Sequence, residues 1–326
     1  MKLKFLITAI CCLFFITQSF AQKKQNVYFL KNSGMIVSNI DSADFIRVVS
    51  EPDSGSTLYN VAEYYKNNKI KLSGKSSRVD PPWFEGACVS YYPSGKKKDL
   101  VNYKGGIREG DNYEFFKNGK LYVHKKVLSI EKANQGNVMT GDVLILDCAD
   151  STGKVIATDG NGYYIGYDDD FKHIYEEGEI KSGLKNGKWK GGYDHKTDKI
   201  TFDEEYDNGN LISGKAVDGN NVTYNYNKRD VQPQFPGGLS AFGTYLGNNI
   251  KYPYGATTNR IQGIVLIKFV VQKDGSLTDF EVLRDPDIRL TAEALRVLKK
   301  SPNWLPGVQY GRPVRVSYTV PVNFKL

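Results

Sequence analysis

At 326 residues, with 40% hydrophobic and 25% charged residues, the chain is too long for one small domain and too apolar to be disordered. Its formal charge is +8, and residues 230–326 hold 12 Lys and Arg against 7 acids, so most of the excess sits in the last third. Three histidines at no metal-ligand spacing (His124, His173, His195), and the lack of a Gly-x-Ser-x-Gly elbow or a phosphate loop, exclude the common hydrolytic and nucleotide-binding sites.

The N-terminus reads as a signal peptide over 1–21. Lys2 and Lys4 form its positive end, Phe5–Thr17 its apolar stretch, and Ser19-Phe20-Ala21 a small-x-small cleavage site. A retained anchor is the alternative. Phe5 to Phe20 would span about 24 Å as a helix, against a hydrocarbon core of roughly 30 Å. Cys11 and Cys12 follow bulky residues, which argues against a lipidated cysteine. Cleavage would leave +6 and two cysteines, Cys88 and Cys148, either disulfide-bonded or present as two buried thiols.

Residues 22–58 are expected to form a β segment. From Tyr59 to about residue 228 a turn phrase recurs, x-[Asn/Ser/Thr]-Gly-Lys, often entered from an aromatic residue. Its copies are Tyr65–Lys69, Tyr92–Lys96 and Phe116–Lys120, and more loosely Ser151–Lys154, Lys185–Lys188 and Tyr206–Asn210. Steps of 22–24 residues are one β-hairpin long, and longer steps carry insertions such as Val79–Phe84. Asn-Gly predicts type I′ turns with positive φ at both central residues. A lone hairpin buries too little to be stable, so the units must stack. This stretch, on Gly86–Lys96 and Glu179–Gly191, resembles MORN-type repeats of exported bacterial proteins, which implies an interaction surface and no reaction.

A short polar link at Lys228–Gln234 leads into the last domain, 229–326. After Pro236-Gly237-Gly238, a helix over Leu239–Asn249 should bury Leu239, Phe242, Leu246 and Ile250. Gly263–Gln272 reads as a buried strand, Asp274-Gly275 as a turn, and Leu277–Arg284 as the returning antiparallel strand. A second helix follows. Thr291 is its expected N-cap, Glu293 lies in its first turn, Lys299 and Lys300 in its last, and Leu290, Ala294, Val297 and Leu298 form its buried stripe. In the final strand Val314, Val316, Tyr318, Val320, Val322 and Phe324 alternate with Arg315, Ser317, Thr319 and Asn323. The fold class is α+β: a mostly antiparallel array of β-hairpins, then a two-layer sandwich of a three-stranded antiparallel sheet under two helices.

Gln234–Leu326 closely resembles the C-terminal domain of TonB-type energy transducers. The resemblance rests on Pro236-Gly237-Gly238, Tyr252-Pro253, Ala256, Gln262-Gly263, Val265, Phe269, Val271 and Asp274-Gly275. It continues through Val282, Ala294-Leu295, Trp304, Pro306-Gly307, Gly311, Pro313-Val314, Tyr318, Pro321 and Phe324. The resemblance implies docking on outer-membrane TonB-dependent receptors, whose TonB-box peptide adds a strand to the domain's sheet. The strand offered would be Val314–Phe324, with Val314, Arg315, Val316, Ser317, Tyr318, Thr319 and Val320 in contact and the Tyr252-Pro253 loop as a second contact. Tyr252 and Pro253 serve equally well as a packing anchor, and Trp304 reads as core. A working transducer also needs a retained membrane helix reaching inner-membrane motor proteins, and a Pro-rich spacer. This chain has only 12 scattered prolines, and repeats stand where the spacer would be.

Three readings stay open at this point: a periplasmic docking module, an anchored transducer, and an envelope scaffold with another partner. No cofactor, metal or nucleic acid is expected. The acidic stretches Asp159–Gly162 and Asp168–Asp170 lack the ligand alternation and closing Glu of an EF-hand, and read as solvated turns.

Overall fold

The computed structural model describes residues 24–128, 143–195 and 198–326. The expected signal peptide, with Cys11 and Cys12, lies outside the described residues. Among those described, no helix is long and apolar enough to cross a membrane. The chain divides into two compact units after Val155, inside the stretch read as one repeat array.

The first unit is an antiparallel meander of β1 (Gln25–Leu30), β2 (Ile36–Val37), β3 (Phe45–Ser50), β4 (Tyr59–Tyr65), β5 (Ile70–Ser76), β6 (Phe84–Tyr91), β7 (Lys97–Lys104), β8 (Ile107–Arg108), β9 (Gly110–Phe115), β10 (Leu121–Val127) and β11 (Val143–Ala149). The strand β1 pairs with both β2 and β3, and β7 with both β8 and β9. Val49, Val61, Val123, Phe116 and Tyr122 fill the buried face. Glu63 is buried among them, its carboxylate held by Arg47 at 2.7 Å and Lys71 at 2.6 Å. Cys88 and Cys148 are buried as thiols.

Turn chemistry here differs from the expected type I′. In 65–69, 92–96 and 116–120 the first residue's N–H donates to the fifth residue's carbonyl. Only the fourth residue has positive φ: Asn68 at 61°, Gly95 at 91° and Gly119 at 88°. This is a three-residue loop with one left-handed position, which needs one permissive residue rather than two. The tyrosines at the heads of two of these turns tie each turn to the next. Tyr65 Oη donates to Tyr91 O at 2.6 Å, and Tyr92 Oη to Phe115 O at 2.7 Å.

The second unit begins with another meander, β12 (Val155–Thr158), β13 (Asn161–Tyr167), β14 (Ile174–Lys181), β15 (Leu184–His195), β16 (Asp198–Asp207), β17 (Asn210–Asp218) and β18 (Thr223–Tyr226). Type I′ turns do occur here, at Asp159-Gly160, Ser182-Gly183 and Asn208-Gly209, each with two positive φ values. The expected turn at Lys185–Lys188 is not one. These residues lie inside β15, because Ser182-Gly183 has already reversed the chain. Glycines facing aromatics organise the sheet. A Cβ on Gly178 would sit 2.4 Å from the Trp189 ring, one on Gly191 2.6 Å from Phe202, and one on Gly214 2.3 Å from Tyr226. Each ring therefore lies flat over the neighbouring strand, and Trp189 is fully buried, its Nε1–H donating to Glu179 O at 2.8 Å.

The C-terminal domain comprises β19 (Asp230–Val231), α1 (Gly238–Asn249), α2 (Tyr254–Thr258), β20 (Gly263–Val271), β21 (Leu277–Arg284), α3 (Ile288–Lys299), β22 (Gly307–Gln309), β23 (Arg312–Val314) and β24 (Val316–Phe324). Its main sheet runs β21-β20-β24, and a smaller one runs β19-β22-β23. Phe269, Ile267, Val265 and Val271 of β20 form the core with Leu290, Ala294 and Leu298 of α3, Phe242 of α1 and Trp304, whose indole N–H donates to Ser301.

Three local expectations are corrected. Leu239 is 77% exposed, since Gly238 occupies the position one turn before Phe242 on the buried stripe. Asp287 caps α3, not Thr291: it is extended after Pro286 and accepts from Arg289 N at 2.9 Å. Glu293 consequently falls past the first turn, and holds Lys251 N at 2.6 Å and Arg296 at 2.7 Å. Thr291 is buried, with its hydroxyl on Asp285 at 2.7 Å.

The second meander and the C-terminal domain share one compact unit, and two arginines join them. Arg229 lies over the Phe202 and Tyr310 rings, and its guanidinium donates to Glu204 (Nε at 3.0 Å) and Glu176 (3.1 Å). Tyr310, at the β22–β23 tip, stacks on Phe202 with centroids 5.1 Å apart and meets Tyr226 edge-on. Arg312 makes a bidentate pair with Asp198, both bonds at 2.6 Å. Burial alone would raise the Glu204 carboxyl, but Arg229 with Tyr226 and Tyr206 outweighs it and holds the group below its usual range.

Candidate docking edge

The strand expected to receive a peptide is continuous only from Val316. Val314 belongs to β23, where it pairs with Gly307 in the smaller sheet, and Arg315 lies between the two strands. The physical cause is the hairpin tip at Tyr310-Gly311, which is held by Arg312 on Asp198. The chain must turn out of that hairpin before it can join β20. Val316, Ser317, Tyr318, Thr319 and Val320 do lie together on β24.

Strand β24 pairs along its whole length with β20, from Val271↔Val316 to Gly263↔Phe324. Among the described residues no strand pairs with its other side, so β24 is an edge. Val320, Val322 and Phe324 are buried, while Ser317, Thr319, Pro321 and Asn323 face outward. Pro321 pairs with Leu266 yet has no N–H. That puts the ladder bonds to β20 on the even residues and turns the N–H and C=O of Ser317 and Thr319 toward the open side. Pro321 interrupts this outward row of donors. Arg315 is ion-paired with Asp279 of β21, which spans the outer face of the sheet.

The second expected contact is built differently. Tyr252 Oη donates to Ile261 O at 2.5 Å and its ring meets Phe324 edge-on, while Pro253 precedes α2 and its carbonyl accepts from Ala256 N and Thr257 N. Both residues therefore anchor the loop from within. The neighbouring Tyr254, 86% exposed, is the aromatic that this loop offers to solvent. Sequence reading missed it; the only signal was its place as the first helical residue after Pro253.

Neither edge residues nor loop form a catalytic cluster, and among the described residues no group of three or more His, Cys, Asp or Glu could hold a metal ion.

Comparison with known proteins finds that residues 248–326 match the family described as Gram-negative bacterial TonB protein C-terminal. Among solved structures, the chain is similar to the solution structure of the Helicobacter pylori TonB C-terminal domain, at 24% identity and a TM-score of 0.21, covering 27% of this chain and 91% of that one. No curated protein matches the chain. Residues 248–326 are thus similar to the C-terminal domain of TonB proteins.

Proposed function

We propose that this is a non-enzymatic envelope protein whose C-terminal domain captures the TonB-box peptide of an outer-membrane TonB-dependent receptor by strand addition along β24. The observation that carries the reading is the open edge of β24, with the backbone groups of Ser317 and Thr319 turned away from β20. A peptide there gains main-chain hydrogen bonds for affinity and alternating side chains for register. The Pro321 interruption limits the pairing to about Arg315–Thr319, a short ladder suited to a reversible contact. Tyr254 is the exposed aromatic positioned to touch a bound chain from the loop side.

Calorimetry of the whole protein with a TonB-box peptide tests this. Ser317→Pro and Thr319→Pro remove outward donors and leave peptide carbonyls unpaired, weakening binding by about 1–3 kcal/mol. Ser317→Ala and Thr319→Ala change it by about 1 kcal/mol or less. Because outward positions do not bond β20, the proline variants keep their circular dichroism spectrum. Folded proline variants that bind like the alanine variants would remove β24 as the docking surface.

The same reading makes the protein an exported one that loses residues 1–21. Protein purified from the envelope then has the mass of a chain starting at Gln22 and stays soluble after carbonate washing. Retention of residues 1–21 would favour an anchored transducer reaching inner-membrane motor proteins.

A further inference from the structure

The turns 65–69, 92–96, 116–120 and 150–154 follow one another along one edge of the first unit's sheet, two strands apart, or about 10 Å. Each ends on a lysine. Lys69 Nζ donates to Ser94 O at 3.3 Å, Lys96 Nζ to Asn118 O at 2.9 Å, and Lys120 Nζ to Thr152 O in the following turn. Lys66 Nζ donates to Asp41 O at 3.0 Å. For Lys69, Lys96 and Lys120 these acceptors are neutral carbonyls, which orient the ammonium groups without cancelling their charge, whereas Lys66 also feels the Asp44 carboxylate. Within the sheet, by contrast, cations meet carboxylates: Arg47 and Lys71 on Glu63, and Lys125 on Glu114.

Segments 65–69, 92–98, 116–120 and 150–154 together hold eight lysines and one acid, and the loop 31–44 at the same edge adds Lys31 against Asp41 and Asp44, so this edge stays strongly positive. The acid within the turns, Asp150, has a carboxylate that accepts from Thr152 and Lys154 of its own turn. The loops at the opposite edge, 51–58, 77–83 and 105–109, hold four acids and two arginines. The two edges of one sheet therefore carry opposite net charge, and the turn edge is a row of oriented cations at fixed spacing.

We propose that this turn edge binds an acidic polysaccharide laid along the row. The charge sign selects a polyanion, and the geometry narrows it. A nucleic acid strand carries a phosphate about every 3.4 Å, so most phosphates would fall between the lysines of successive turns. It also gains from exposed aromatics for stacking, whereas Tyr92 and Phe116 at the heads of these turns are buried. A lipid surface would be held more firmly by apolar residues inserted beside the lysines along the row; the turn tips offer Asn, Ser, Thr and Gly, and the exposed Met35, Ile36 and Ile40 lie only in the loop beside the first turn. A glycan whose charges are separated by whole sugar rings suits a widely spaced row that is one turn wide.

The test is titration of the whole protein with hyaluronate, which carries one carboxylate on every second sugar, at low salt, beside neutral dextran, a single-stranded oligonucleotide and phosphatidylglycerol vesicles. Two quadruple variants at the turn-end lysines Lys69, Lys96, Lys120 and Lys154, one to Gln and one to Arg, are compared with Arg78→Gln/Arg108→Gln at the opposite edge. Binding to hyaluronate falls at least tenfold in the Gln variant, is retained in the Arg and opposite-edge variants, and weakens as salt rises. Equal binding by the Gln variant, or an equal loss in the opposite-edge variant, overturns the proposal. So does tighter, lysine-dependent binding of the oligonucleotide or the vesicles. Should the Gln variant fail to fold, the Arg and opposite-edge variants and the ligand ranking still decide.

Discussion

A glycine in this protein can be required or merely tolerated, and the surroundings decide which. At Gly178 an added methyl would strike the Trp189 ring at 2.4 Å, so Gly178→Ala should lower stability by about 1–3 kcal/mol. At Gly243, in α1, nothing lies within 4 Å, and Gly243→Ala should raise stability by about 0.5–1 kcal/mol. Thermal melts of the two variants should therefore move in opposite directions. Glu204 sets a pH dependence at the same scale. Its carboxyl is held below the ordinary value of 4.5, so its stabilising effect is complete above that pH and is lost as pH falls through the depressed folded value. On acidification below about pH 4.5 the wild type should lose melting temperature more steeply than Glu204→Gln, and parallel curves would refute the assignment.

Among the elements, strong periodicity was legible and end chemistry was not. Leu277–Arg284 and the buried run beginning at Gly263 fall where alternation and apolar content put them. Phe269, at the centre of that run, packs against Trp304, Phe280 and Tyr318. Phe269→Ala should cost about 3–5 kcal/mol, read by denaturant titration of the whole protein. An unchanged midpoint would exclude its core role. The start of α3 was misplaced because Thr291 and Asp287 are both good caps, and only the extended backbone after Pro286 selects Asp287. Type I′ turns were expected throughout because Asn-Gly signals φ > 0, but the dipeptide alone does not reveal whether one position or two must be left-handed. The final strand was legible in its alternation. Its break at Arg315 was not, since that depends on where the preceding hairpin is pinned.

For the whole molecule, the sequence led to the expectation of a β-rich region followed by an α+β C-terminal domain, but left open how the second meander meets that domain. The join depends on pairs far apart in the chain, Arg229 with Glu176 and Arg312 with Asp198, which no local pattern announces. Arg229 appeared only as part of a polar link, and Tyr310 drew no reading at all. Tyr310→Ala should therefore loosen the link at residues 227–233. Faster cleavage there by a protease of broad specificity would mark the change, and an unaltered cleavage rate would exclude Tyr310 as the fastener.

The insertion of Tyr310 among Phe202, Tyr193 and Tyr226 also bears on where this protein can be cut for study. A fragment starting at Gln234 would keep the sheet β21-β20-β24 but leave the hairpin tip bare, with an aromatic ring and an arginine that have lost their counterparts. Such a fragment would carry a sticky surface absent from the native chain, and self-association on that surface could pass for a property of the C-terminal domain. The unit boundary after Val155 lies upstream of all these partners, so a fragment that starts near it keeps each of these contacts.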